Sequence, residues 1–189
     1  MESALIVSYS EKSIAFFTDM LRSVSCDKIV ITPTCGEARR LLLERDFELC
    51  IINAPLPDES GENLSRHISA KGIVQVILVV NSGYYEEISS VVEDYGVITV
   101  SKPINRNMFW SALKLAKAAQ SKLKAMKAGN NKLTQKIEDI RIVDRAKCIL
   151  ISYLNMSEHE AHKYIEKQAM DMRIPKRAVA EGILKTYES

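Results

Sequence analysis

DFELCIINAPLPDESG, residues Asp46 to Gly61, decides how the first hundred residues fold. It is an apolar run ending at Asn53, with proline four residues on at Pro57 and glycine eight residues on at Gly61, which reads as a buried strand feeding a loop. Around it lie further strand candidates, so that the set is Ala4 to Val7, Lys28 to Thr32, Leu49 to Ile52, Val74 to Val80 and Val97 to Val100. Between them fall helical patterns at Ser13 to Ser23, Gly36 to Arg45, Glu62 to Ser69 and Tyr85 to Asp94. Near-continuous Val, Ile and Leu suits strands buried on both faces of a parallel sheet. Five such strands alternating with helices predict an α/β domain: a doubly wound, five-stranded parallel sheet of flavodoxin-like order.

In that architecture the ligand crevice lies at the carboxyl ends of the strands, where Ser8, Tyr9, Asn53 and Lys102 fall. No GxGxxG or GxxxxGK[ST] occurs, which argues against a nucleotide-binding enzyme on the same fold. The spacing of Asn53, Pro57 and Gly61, together with Lys102-Pro103 at the end of the fifth strand, resembles the receiver domain of bacterial response regulators. The resemblance implies a phosphoacceptor aspartate at the strand end and an acidic pair for magnesium after the first strand. This chain has Asn53 at the first place, and Ser8 with Tyr9 at the second. A carboxamide has no anionic oxygen to attack phosphorus. Magnesium wants about six oxygens with one or two carboxylates among them, which a serine and a tyrosine cannot supply. The expectation is a receiver scaffold without phosphorylation chemistry and with no cofactor or metal. Asp58 and Glu59 are the nearest loop carboxylates, and such groups are usually just solvated. A small-molecule sensor is the other reading of this crevice.

The 189 residues suit one domain plus a smaller one. No window approaches the ~18 consecutive apolar residues of a membrane span, so a cytoplasmic protein is expected. Cys26, Cys35, Cys50 and Cys148 show no CxxC pairing, which disfavours a disulfide framework or a zinc site. The net charge of +2 conceals a division. Residues 1–104 hold 9 Lys+Arg against 15 Asp+Glu, a net of −6, and residues 105–189 hold 17 against 9, a net of +8. An acidic half joined to a basic half suits a regulatory domain carrying a nucleic-acid-binding effector.

From Phe109 onward the pattern is one long helix. Apolar or small residues recur at Phe109, Ala112, Ala116, Ala119, Leu123, Met126, Asn130, Leu133, Ile137 and Ile140, spaced alternately by 3 and 4, which is a heptad seam. The first turns would pack on the sheet and the remainder would pair between two subunits. Asn130 falls at an a position, where a buried asparagine pair fixes register in a two-stranded assembly. Gly129 beside it weakens the helix by up to ~1 kcal/mol and marks a point of interruption or hinge.

Residues 142–184 close the chain with a second pattern. Ser157 followed by Glu160 is a capping box that starts a helix at Glu158. Ala161, Tyr164, Ile165, Gln168 and Ala169 then follow one face, which favours the core for Tyr164 over an exposed aromatic. Pro175 suits the first position of a third helix, whose small and apolar face is Ala178, Val179, Gly182 and Ile183. Ala146-Lys147, Leu150, Ser157-Glu158, Ala161, Ala169-Met170, Ala180 and Ile183 together resemble the ANTAR domain, the RNA-binding module of AmiR and NasR-type antitermination regulators. Cys148 and His162 depart from the glycine and the aromatic usual in that family.

The resemblance implies a small all-α three-helix bundle that binds stem-loops of nascent leader RNA as a homodimer. The expected layout is a receiver-like domain over 1–120, a coiled-coil linker helix over 109–141 and the ANTAR bundle over 142–189. RNA-binding candidates are Arg145, Lys147, Lys163, Arg173, Lys176 and Arg177, with the seam at Leu123, Met126, Asn130, Leu133, Ile137 and Ile140. Control would come from a regulatory protein partner at the receiver-like domain, a ligand, or changes in dimerisation. The rival reading is a non-enzymatic scaffold whose basic bundle docks an acidic protein.

Overall fold

A computed structural model describes residues 2–72 and 74–187. By contact the chain divides into two units, Met1–Ala125 and Met126–Ser189. The first contains β1 (Ser3–Val7), α1 (Glu11–Arg22), β2 (Lys28–Thr32), α2 (Cys35–Glu44), β3 (Leu49–Asn53), α3 (Glu62–Ala70), β4 (Gln75–Asn81), α4 (Tyr85–Val92) and β5 (Ile98–Lys102). The helix α5 (Arg106–Leu154) begins in this unit, and α6 (Glu158–Met172) and α7 (Lys176–Tyr187) belong to the second.

The five strands are parallel in the order β2-β1-β3-β4-β5, the doubly wound sheet expected from the strand pattern. Side chains alternate across a strand, so one sequence feeds two cores. Leu5, Val7, Cys50, Ile52, Leu78 and Val80 face one layer, with Ala38 of α2, Leu64 and Ile68 of α3 and Val92 of α4. Ala4, Ile6, Leu49, Ile51, Ile77 and Val79 face the other, against Phe17, Met20 and Leu21 of α1 and Phe109, Leu113 and Ala116 of α5. The Phe17 and Phe109 rings lie 5.1 Å apart, tying the two helices of that layer together.

Local signals place the ends. Ser10 and Thr34 cap α1 and α2 through their hydroxyls. Asn105 Oδ1 accepts from the Asn107 and Met108 N–H groups, so α5 starts three residues ahead of Phe109. Gly61 precedes α3 at φ +90°, and a Cβ added there would lie 2.9 Å from Ile52 Cγ2, so both backbone and packing require glycine. The helix α5 runs without a break through Gly129, which therefore makes no interruption.

In the second unit, Ala146, Leu150, Ala161, Ile165, Ala169, Val179 and Ala180 form a small core. The Ser157–Glu160 capping box is present in full, with α6 beginning at Glu158. Three details differ from the helical-face reading. Tyr164 is 39% exposed, because the buried stripe of α6 runs through Ala161, Ile165 and Ala169, and Tyr164 sits a residue off it. Ala180 takes the buried place on α7, while Ala178 and Gly182 face outward. Pro175 stands one residue ahead of α7, its carbonyl accepting from the Ala178 and Val179 N–H groups.

Candidate functional site

At the carboxyl edge of the sheet, Ser8 and Asn53 are buried and joined: Asn53 Nδ2 donates to Ser8 Oγ at 3.0 Å. Lys102, at the end of β5, donates from Nζ to the Ala54 carbonyl at 2.5 Å. Burial pulls the Lys102 ammonium below its ordinary pKa, as follows from placing it where no carboxylate offsets the lost hydration. Tyr9 stands apart at 56% exposure, on the rim rather than in the pocket. The structure thus brings Ser8, Asn53 and Lys102 to one place and gives them neutral partners, with Asn53 Oδ1 buried and without a hydrogen bond among the described residues.

Asp58 and Glu59 do more than face solvent. Asp58 Oδ1 and Oδ2 accept from the Cys35 and Gly36 N–H groups at 3.0 and 2.9 Å, a carboxylate seated on the first turn of α2. Burial raises the Asp58 carboxyl, but those two N–H groups, its own N–H and the nearby Arg39 together outweigh it and hold the group below its ordinary value. Glu59 pairs with both Nη atoms of Arg39. Cys35, Asp58 and Glu59 offer ligand atoms within 4.8 Å of one another. Burial together with the two carboxylates pushes the Cys35 thiol up to about 12, so it stays protonated, and both acids are already committed. This donor set fits hydrogen bonding better than metal binding.

The basic residues of the bundle divide into two groups. Lys147 is nearly covered and bridges Asp144 at 2.8 Å and Glu158 at 2.9 Å. Lys176 pairs with Glu166, which also meets His162 Nε2 at 3.3 Å. Arg177 binds Asp139 through Nη1 at 2.8 Å and Glu181 through Nε at 2.7 Å, holding α7 against α5. Lys163 and Lys167, in contrast, have no carboxylate partner among the described residues. Arg173 ends α6 in the left-handed region at φ 54°, its backbone N–H donating to the Ala169 and Met170 carbonyls. Arg145 is exposed on α5.

An open concavity of about 460 Å³ lies between the end of α5 and α6, walled in part by Leu154, Met156, Lys163, Tyr164 and Lys167. Helical periodicity favours the core for Tyr164, whereas the ring lies on this surface beside the expected Lys163. Its signal was the i to i+4 spacing of Lys163 and Lys167 beside an aromatic. The seam residues Leu123, Met126, Leu133, Ile137 and Ile140 are 37 to 63% exposed in the single chain. No helix among the described residues is long and apolar enough to cross a membrane.

Known proteins share both halves. The ANTAR domain model matches residues 131–184, beginning inside α5. Transcriptional regulatory protein PdtaR of Mycobacterium tuberculosis is 24% identical over 139 residues, covering 74% of this chain and 68% of PdtaR. The signal receiver domain of an HD domain-containing protein from Pseudomonas fluorescens superposes with a TM-score of 0.57 at 19% identity, covering 67% of this chain and 92% of that one. A CheY-like receiver domain from Methanospirillum hungatei gives 0.55 at 19% identity, over 65% and 98% of the two chains. The chain therefore joins a domain of the receiver fold to a segment, residues 131–184, that matches the ANTAR domain.

Proposed function

We propose that this chain is a phosphorylation-independent, cytoplasmic regulator of transcription antitermination that binds stem-loops of nascent leader RNA as a homodimer. The observation that carries the reading is the ANTAR bundle with its basic surface. Arg145, Lys147, Lys163, Arg173, Lys176 and Arg177 supply the field that draws in a polyanion. The unpartnered seam on α5 supports pairing with a second copy, and two bundles on one dimer would hold two RNA loops at high effective concentration. At the receiver-fold pocket, Asn53 bonded to Ser8 and Lys102 bonded to a carbonyl support regulation without acyl phosphate, through a protein partner, a ligand or dimerisation. The chain is read as a binding protein rather than an enzyme.

The test is retention of a two-hairpin RNA pool with randomised loops by the full chain, against duplex DNA of equal length, with and without acetyl phosphate and magnesium. The expected result is selective RNA retention, steeply weakened by salt and unchanged by acetyl phosphate, with no phosphoryl adduct by mass spectrometry. Retention of duplex DNA as strong as that of RNA would overturn the RNA reading and favour a scaffold. A stoichiometric adduct that alters retention would overturn phosphorylation independence.

A further inference from the structure

We propose that the concavity between the end of α5 and α6 takes one unstacked base of an RNA hairpin loop, stacked on Tyr164, with the flanking phosphates on Lys163 and Lys167. This rests on the RNA-binding reading and gives it a particular contact. Three independent observations converge on the same few residues.

The first is the division of charge. Lys147, Lys176 and Arg177 are each held by carboxylates of the bundle, so a phosphate meeting any of them must displace an internal partner. Lys163 and Lys167 have no such partner among the described residues. They lie one helical turn apart on α6, on the same face, and both line the concavity.

The second is Tyr164, placed between those lysines in sequence and in the same wall. The bundle core uses Ala161, Ile165 and Ala169 of α6 and leaves this ring 39% exposed. An exposed ring with an apolar body flanked by two unpaired ammonium groups is the combination that holds a splayed base and its backbone. A base still paired in a duplex presents only its edge, so the ligand is an unpaired nucleotide.

The third is the rest of the wall. Leu154 and Met156 add apolar surface to the lining. Asn155 sits between them at φ 51°, its carboxamide able to offer both a donor and an acceptor to a base edge. Glu160, the carboxylate that also lines the concavity, accepts from the Ser157 N–H and hydroxyl, so the capping box holds its charge at the start of α6.

The experiment uses the full chain and the same randomised-loop hairpin pool. Tyr164→Ala is expected to weaken retention roughly five- to a hundredfold, the span of a lost base–aromatic stack, and Tyr164→Phe to recover most of that loss. Lys163→Gln with Lys167→Gln is expected to lower the slope of log affinity against log salt by roughly 1.4, about 0.7 for each phosphate on a single strand. Lys117→Gln with Lys122→Gln removes the same charge outside the bundle and keeps the slope. Ultraviolet crosslinking of 4-thiouridine loops should place the adduct on the peptide containing Tyr164. Groove variants that fold and bind as the unaltered chain does, with crosslinks elsewhere, would overturn the groove while leaving RNA binding intact. An unaltered chain that retains no hairpin RNA would overturn both.

Discussion

Replacing Leu133 and Ile137 together with lysine should abolish the dimer proposed for α5. In the single chain these side chains are 60% and 53% exposed. Fully burying a leucine or isoleucine is worth about 1.5–3 kcal/mol, so covering the exposed half of each contributes about 1–1.5 kcal/mol. Two positions on each of two chains give about 4–6 kcal/mol of association energy. At 1.4 kcal/mol per tenfold, its loss weakens the dimer by roughly three to four orders of magnitude before any repulsion between facing lysines is added. Sedimentation velocity over a hundredfold range of concentration reads this directly: the unaltered chain should be dimeric and the double variant monomeric throughout. Both positions lie on an exposed stripe, so far-ultraviolet circular dichroism should show each half still folded. A double variant that dimerises at the same concentration as the unaltered chain would refute the argument and move the interface off this stripe.

Two further substitutions probe the receiver-fold unit. Asp58→Ala removes the acceptor of the Cys35 and Gly36 N–H groups and should cost about 1–2 kcal/mol at neutral pH. Because the folded Asp58 carboxyl is held below its ordinary value, its contribution is present above the ordinary aspartate range and is lost as pH falls through the lowered folded value. Urea melts from pH 7 down to pH 3 should therefore converge for the two proteins, and parallel curves would show that the seat on α2 is not energetic. Gly61→Ala puts a Cβ 2.9 Å from Ile52 Cγ2 at φ +90° and should lower stability by about 2–4 kcal/mol, with a denaturant midpoint unchanged from the unaltered chain as the contrary result.

Much of the fold was legible because it rests on local periodicity. The alternation within ALIV and LCII distributes side chains to the two cores, and the Ser157–Glu160 pair starts α6 where its chemistry says it must. Lys102 on a main-chain carbonyl was also foreseeable, since an ammonium deprived of aspartates takes the nearest oxygen. What stayed hidden depends on partners remote in sequence. Nothing near Asp58 says that it will cap α2, some twenty residues away. The charge of Lys176 and Arg177 gives no sign that Glu166 and Asp139 will come to meet them. Tyr164 lies one position off the stripe of Ala161, Ile165 and Ala169 that forms the α6 part of the core, and periodicity alone does not fix where the edge of such a stripe falls.

The hydrogen bond from Asn53 to Ser8 bears on how such a protein can change over generations. Both residues are buried, at 3% and 1% exposure. An aspartate arriving alone at position 53 would be a buried charge beside a hydroxyl, without the metal that a nucleophile of this kind shares its pocket with. Acids arriving first at positions 8 and 9 would gather charge around a carboxamide that cannot react. Each single substitution of this kind costs stability before it supplies any phosphate chemistry. A carboxylate-lined pocket at this edge therefore needs several substitutions made together.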